Sequence, residues 1–433
     1  MKSILIQYPL YGYAIILFLF STNCNSDDDS VENPDDLPDQ IELTENIEVY
    51  NSERIANGFV LGMINGGNEC FLIDRTGIKV KEWTFENNLG NDIEILPTGQ
   101  LLGIFKSEDI QLSLGGSAGI VRLMDSEGVT EWEYIYNTTD HILHHDVEPL
   151  PNGNILLMAW ERIPLNNAQQ LGSNSAVDII PEVLLEINPT TDEIVWEWHS
   201  IDHIIQDVNP SAPSYGSINE NPHLINLNYV THPSGDIMHA NGIDYDEAKD
   251  IIYISVNAYS EIWVIDHSTT TAQAASQSGG NYGKGGALLY RFGNPEAYNN
   301  TAGDRLFFNN HFPNLLENDE PGAGNVLVYM NGTNINQSTV FEFQMPETFN
   351  LLPNNNNEPN VVWSFTDPDL FYGRISGAVR LINGNTLICE GNYGFWEVTP
   401  DGEVVWKYNG LGPNFWRGYG YNQDDEAIVN LNL

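Results

Sequence analysis

One unit recurs along this chain and restricts its fold more than any other feature: an apolar strand, a tight turn rich in Asp, Asn and Gly, and a second strand that ends in an aromatic. It reads FLIDRTGIKVKEW from Phe71 to Trp83, RLMDSEGVTEWEY from Arg122 to Tyr134, LLEINPTTDEIVWEW from Leu184 to Trp198 and FWEVTPDGEVVWKY from Phe395 to Tyr408. Two degenerate copies with longer insertions start at Ile262 and Val340. Between these copies lies a second unit, a polar strand, a turn written as L-P-x-G and an apolar strand, as in DIEILPTGQLLGIF, DVEPLPNGNILLMAW and, with its proline lost, AVRLINGNTLICEG. Both are hairpin signals, because Gly and Asn turns between alternating runs match the twist of paired strands. Two hairpins make a four-stranded antiparallel sheet, and serial repetition of such sheets predicts a propeller, whose radial packing protects the sheet edges. First-type turns near positions 74, 125, 188, 266, 346 and 399 predict an all-β, six-bladed β-propeller of four-stranded antiparallel blades over residues 46–433, without a long helix.

The N-terminus reads differently. Lys2 precedes the apolar stretch YAIILFLF, Tyr13 to Phe20, which is too short to span a bilayer and fits a signal peptide. Cys24 follows at once, and then NSDDDS, so residues 1–23 read as a lipoprotein-type signal and Cys24 as the lipidated residue. Residues 24–45 are acidic and poor in apolar side chains, an expected disordered tether. The expected location is therefore export with a lipid anchor in the outer membrane, with surface exposure or a periplasmic or secreted form as alternatives. Cys70 and Cys389 remain; they sit in apolar runs and read as buried free thiols, with a ring-closing disulfide as the alternative.

Charge removes whole classes of partner. Sixty Asp and Glu against sixteen Lys and Arg give a formal net charge of −44, which repels nucleic acid and anionic membrane. The same field opposes an anionic small molecule, so any such substrate needs local cations or hydrogen-bond donors.

Chemistry-bearing residues emerge when the repeats are aligned. His144-His145-Asp146, His239 in GDIMHANGIDYD and His311 in LFFNNHFPNLL all stand just before or at the start of a second-type hairpin. Equivalent positions in successive repeats gather around one axis, at the mouth where propellers bind ligands. A single histidine there reads as a surface residue; three in register read as a site. His267, His199 and His203 read as loop or packing residues, and His141 and His232 as rim residues. The aromatic segments NPSAPSYGS and NFWRGYGYN read as loops able to stack on a phenol. No P-loop, H-E-x-x-H or EF-hand pattern is present, and neither a metal nor a cofactor is expected.

In HHDVEPLPNGNILLMAW, in DIMHANGIDYDEAKDIIYISVNAYSEIWVIDHSTTT and in LFFNNHFPNLL the chain resembles the bacterial arylsulfate sulfotransferases, PAPS-independent six-bladed propellers. The resemblance covers roughly residues 50 to 410. It implies that His311 is the transiently sulfated nucleophile and that His145 and His239 bind the sulfuryl group. Family members carry an arginine eighteen positions after the His239-like residue; Asn257 stands there, and Arg374, Arg380 or Arg291 is expected to supply a cation. Asn257, Arg374 and Arg380 are the substrate-binding candidates. The expected activity moves a sulfuryl group from a phenolic sulfate ester to a phenol by a ping-pong route. Imidazole suits it, being neutral near pH 7 and a competent leaving group. The alternative is a surface-anchored binding module that keeps the fold without the transfer chemistry.

Overall fold

The computed structural model describes residues 41–431 and 433. The expected signal peptide, Cys24 and residues 24–40 of the expected tether lie outside the described residues. Packing begins slightly earlier than the sequence reading places it, since the Thr44 amide already donates to the Thr76 carbonyl at 3.0 Å.

The fold is an all-β propeller of four-stranded antiparallel blades, and each blade is a meander of the two hairpins seen in the sequence. In one, Ala240–Asp246, Ile251–Val256, Glu261–Asp266 and Tyr290–Phe292 pair in chain order; in the next, Asn310–Leu315, Val326–Met330, Thr339–Gln344 and Asn360–Phe365 do the same. Inner strands are buried, as in Ile251–Val256, whereas outer strands such as Lys79–Thr84 keep one exposed face and bury the tryptophan. Among the described residues the longest helices, Leu165–Gln170 and Glu426–Leu431, have six residues each.

The tryptophans that end the first-type unit explain the repeat. Trp83 Nε1 donates to the Ser126 carbonyl, Trp132 to Asp192, Trp196 to Thr269, Trp363 to the Pro400 carbonyl and Trp406 to the Arg75 carbonyl, at 2.8 to 3.1 Å. Each of these outer strands is thus bonded to the turn of the following meander, and the Trp406–Arg75 bond returns from the last meander to the first. A buried indole needs a partner for its N–H, so this position favours Trp over Phe.

Two features depart from the sequence reading. The hydrogen-bonded sheets do not correspond to six blades: three have four strands, one has five, one has eight, and Ile204–Ile205 with Ile225–Asn226 form a separate parallel pair. The eight-stranded sheet consists of two meanders, Leu89–Ile135 and His141–His199, joined by one parallel bridge between Asn91 and His145. The segment NFWRGYGYN, read as a loop, is instead the strand Phe415–Tyr421, which pairs antiparallel with Phe59–Ile64 and supplies the inner strand that the first meander lacks. The N-terminal strand Ile47–Tyr50 in turn adds to Val404–Asn409 at the outer edge of the last sheet. Cys70 and Cys389 are buried free thiols.

Inner strands do not run straight into the centre. Register shifts interrupt the pairing near Leu89–Ile93, Leu157–Ala159, Ala240–Gly242 and His311–Pro313. Beside them Asn91, His145, His239 and Phe312 have φ of 127°, 56°, 50° and 52°. Bulges of this kind re-aim a side chain, and here they cluster at one end of the strands.

Candidate functional site

His145, His239 and His311 line one cavity of about 270 Å³, together with Asn91, Lys106, Asn257, Arg374 and Trp416. The His145 and His239 rings are 5.0 Å apart, and Trp416 stands between His145 and His311, 5.6 and 5.8 Å from each. Three sequence-distant bulges therefore bring the three histidines together.

Hydrogen bonding assigns a different state to each ring. The Asn331 amide nitrogen donates to the carbonyls of Tyr372 and Ile375, at 3.0 and 2.8 Å, which uses both of its hydrogens. Only the Asn331 oxygen is left for His311 Nδ1, at 2.7 Å, so Nδ1 carries the proton and Nε2 the lone pair. Burial pushes the His311 pKa down to about 3 despite the Asn331 bond, so the ring is neutral across the physiological range. His239 is the opposite case. Its Nδ1 sits 2.6 Å from Asp236 Oδ2, and its own amide donates to the other Asp236 oxygen. Burial pulls its pKa down, but the hydrogen bond and charge of Asp236 outweigh burial and leave it raised. His145 is held neutral by burial first and then by the positive neighbours His239 and Arg417. A neutral imidazole with a free Nε2 beside a charge-prone imidazole is a nucleophile and a proton donor in one chamber.

Beneath the histidines, Arg417 is fully buried and bonds both oxygens of Asp146, one oxygen of Asp92 and the Asn241 carbonyl. It also packs over the Phe312 ring at 4.0 Å. Asp146 spends its oxygens there and on the Ile243 amide, so it organises the floor and does not orient an imidazole. Farther along the same inner strands, burial pushes the carboxyls of Glu94, Glu148 and Asp244 well up, as it does Asp92. Carboxyls held protonated carry no charge, so the field at the cavity is milder than the formal −44 implies.

The model of the arylsulfotransferase (ASST) family matches residues 48–409. The chain belongs to that family. No curated protein matches it. Among solved structures it is similar to a protein of unknown function from Bacteroides caccae, 13% identical with a TM-score of 0.48, over 84% of this chain and 99% of that one. It is also similar to the β-propeller domain of Myceliophteria thermophila Cps50 (Swd1), 11% identical with a TM-score of 0.42, over 88% and 94%.

Against the arylsulfotransferase pattern, the candidate cations divide. Arg374 lines the cavity and is exposed. Arg380 does not reach it: the guanidinium is ion-paired with buried Glu342 and bonded to the Gly384 carbonyl in its own hairpin turn. Arg291 is likewise consumed, by Glu261 and the carbonyls of Pro222 and Leu224. Asn257 is at the wall, but its amide donates to the Asn310 carbonyl and accepts from Asn309, so it braces the strand that bears His311. Sequence reasoning missed Lys106, which lines the cavity with no carboxylate partner among the described residues, and Arg417. The one signal for Arg417 was indirect: the first meander lacked a complete second-type hairpin, so a strand from elsewhere in the chain had to complete it.

Proposed function

We propose that the protein is an aryl-sulfate sulfotransferase working through a sulfohistidine at His311. His311 Nε2 attacks the sulfur of an aryl sulfate ester; the S–O bond breaks, and the departing aryl oxygen takes the proton of His239. An acceptor phenol then returns a proton to His239 while its oxygen attacks sulfur and the N–S bond breaks. His145 hydrogen-bonds the sulfuryl oxygens, whose charge spreads in the transition state as in phosphoryl transfer. What supports this reading is the opposite protonation of two imidazoles in one chamber: His311 made neutral by burial, His239 kept charged by Asp236.

The test uses 4-nitrophenyl sulfate with a phenol acceptor. Nitrophenol release that requires the acceptor and vanishes in His311→Ala supports the reading, and a sulfated His311 peptide found by mass identifies the nucleophile. No release across a panel of aryl sulfates leaves the surface-anchored binding module. We read the eight-stranded sheet as two blades, which makes six around the axis. The further reading of the N-terminus is export with Cys24 lipidated and the propeller tethered to the outer membrane; loss of fatty-acid labelling in Cys24→Ala checks it.

A further inference from the structure

We propose that Asn91 binds the transferring group: its side-chain amide hydrogen-bonds a sulfuryl oxygen from the first meander, as His145 does from the second. The proposal deepens the sulfuryl-transfer reading and rests on it for the identity of the anion.

The two residues occupy the same place in the repeat. Asn91-Asp92-Ile93-Glu94-Ile95-Leu96-Pro97 runs in step with His145-Asp146-Val147-Glu148-Pro149-Leu150-Pro151. Strand pairing agrees with that alignment. Leu89 and Ile93 face Phe105 and Gly103, as Leu143 and Val147 face Ala159 and Leu157, and the register shifts inside both intervals. Both inner strands therefore carry the same bulge, with Asn91 and His145 as corresponding members. The bulges also touch, since Asn91 and His145 form the parallel bridge between the two meanders.

The backbone of Asn91 is strained to serve this placement. Its φ of 127° is a glycine conformation, and strain of that kind persists where the surroundings enforce it, often at ligand sites. The side chain so placed lines the histidine cavity, beside Lys106 at the end of the paired strand. Asn91 is only 5% exposed, yet its amide bonds no protein group among the described residues and is not sealed from the cavity. The neighbouring amides are spent. Asn241 and Asn257 donate to the Asn310 carbonyl, and Asn331 to the carbonyls of Tyr372 and Ile375.

An amide without a protein partner can turn either end to a ligand, and an anion selects the NH2 end. His145 has one nitrogen to offer, because its Nδ1 faces His144 Nδ1 at 2.8 Å. Asn91 adds a donor beside it without adding charge next to buried Asp92 and Asp146.

Benzenesulfonate, whose C–S bond cannot be transferred, is the probe, titrated calorimetrically into the purified protein. Asn91→Gly is expected to weaken its binding about tenfold, the weight of one hydrogen bond to a charged group. The melting temperature is expected to hold or rise, because glycine takes this φ freely. Asn91→Asp, of the same shape, is expected to bind more weakly still, since it exchanges a donor for a negative charge. With 4-nitrophenyl sulfate, Asn91→Gly is expected to lose about 100-fold in kcat, as when one donor to a developing anion is removed. Wild-type affinity for benzenesulfonate in either variant overturns the proposal, as does an undiminished kcat, a lowered melting temperature in Asn91→Gly, or a wild type that binds no benzenesulfonate. Benzenesulfonate binding that depends on Asn91 without any transfer in the assay sinks the sulfotransferase reading alone.

Discussion

Arg417 grips Asp146 through both terminal nitrogens, at 2.6 and 2.9 Å, and so ties the last inner strand of the chain to the strand that carries His145. Arg417→Met would leave Asp146 buried without its cation, beside Asp92 and the other carboxyls of the channel. Breaking one side of a buried ion pair typically costs about 3–5 kcal/mol. The variant is expected to shift the urea midpoint strongly downward, and Arg417→Met with Asp146→Asn to recover part of the loss. An unchanged midpoint in the single variant contradicts this account of ring closure.

The rate should depend on pH through His239 and hardly through His311. Transfer needs His311 unprotonated, which holds above about pH 3, and His239 protonated, which holds below its raised pKa. The expected profile is therefore flat through the acidic and neutral range and falls on the alkaline side. Asp236→Asn removes the hydrogen-bonded charge that opposes burial, so burial then draws the His239 pKa down. The alkaline limb of kcat should move to lower pH, and more visibly for phenols that leave poorly. A limb at the wild-type position would separate Asp236 from the proton transfer.

How much of this was legible beforehand follows from range. The meanders were visible because alternation and turn chemistry are local, and the tryptophan endings because each indole needs a partner on the next turn. The three histidines were visible only through the repeats, which convert distant positions into neighbours. Ring closure was not, since the pairing of Phe415–Tyr421 with Phe59–Ile64 spans nearly the whole described chain and leaves no local mark. Nor was the sorting of the arginines, which depends on whether a carboxylate such as Glu342 or Glu261 waits across a blade.

Lys106 should supply the charge that Asn257 does not. It is half-buried at the end of the strand Leu101–Lys106 and lines the histidine cavity, and among the described residues no ion pair draws it away. Arg417 is spent on Asp146, so Lys106 and the exposed Arg374 join His239 as the positive groups that line the cavity. Lys106→Met is expected to raise KM for an aryl sulfate about tenfold or more, the weight of one charge-assisted hydrogen bond. Lys106→Arg should recover most of it, and added salt should weaken the wild type more than Lys106→Met. Equal salt dependence in both would remove Lys106 from substrate binding.

Gly116 is held glycine by His145. The Gly116 backbone has φ of 90°, and a Cβ placed there would meet the His145 ring at 2.1 Å. The Gly116 carbonyl also accepts the His145 amide at 3.2 Å, so the two backbones cannot simply part. Gly116→Ala therefore adds backbone strain of about 1–3 kcal/mol and forces the imidazole off its line with His144. The expected result is a moderate fall in melting temperature with a much larger fall in kcat, because a displaced donor no longer meets the sulfuryl oxygens. Equal losses in stability and rate at Gly116 and at Gly153, whose Cβ would meet nothing within 4 Å, would show that the contact with His145 is not what matters.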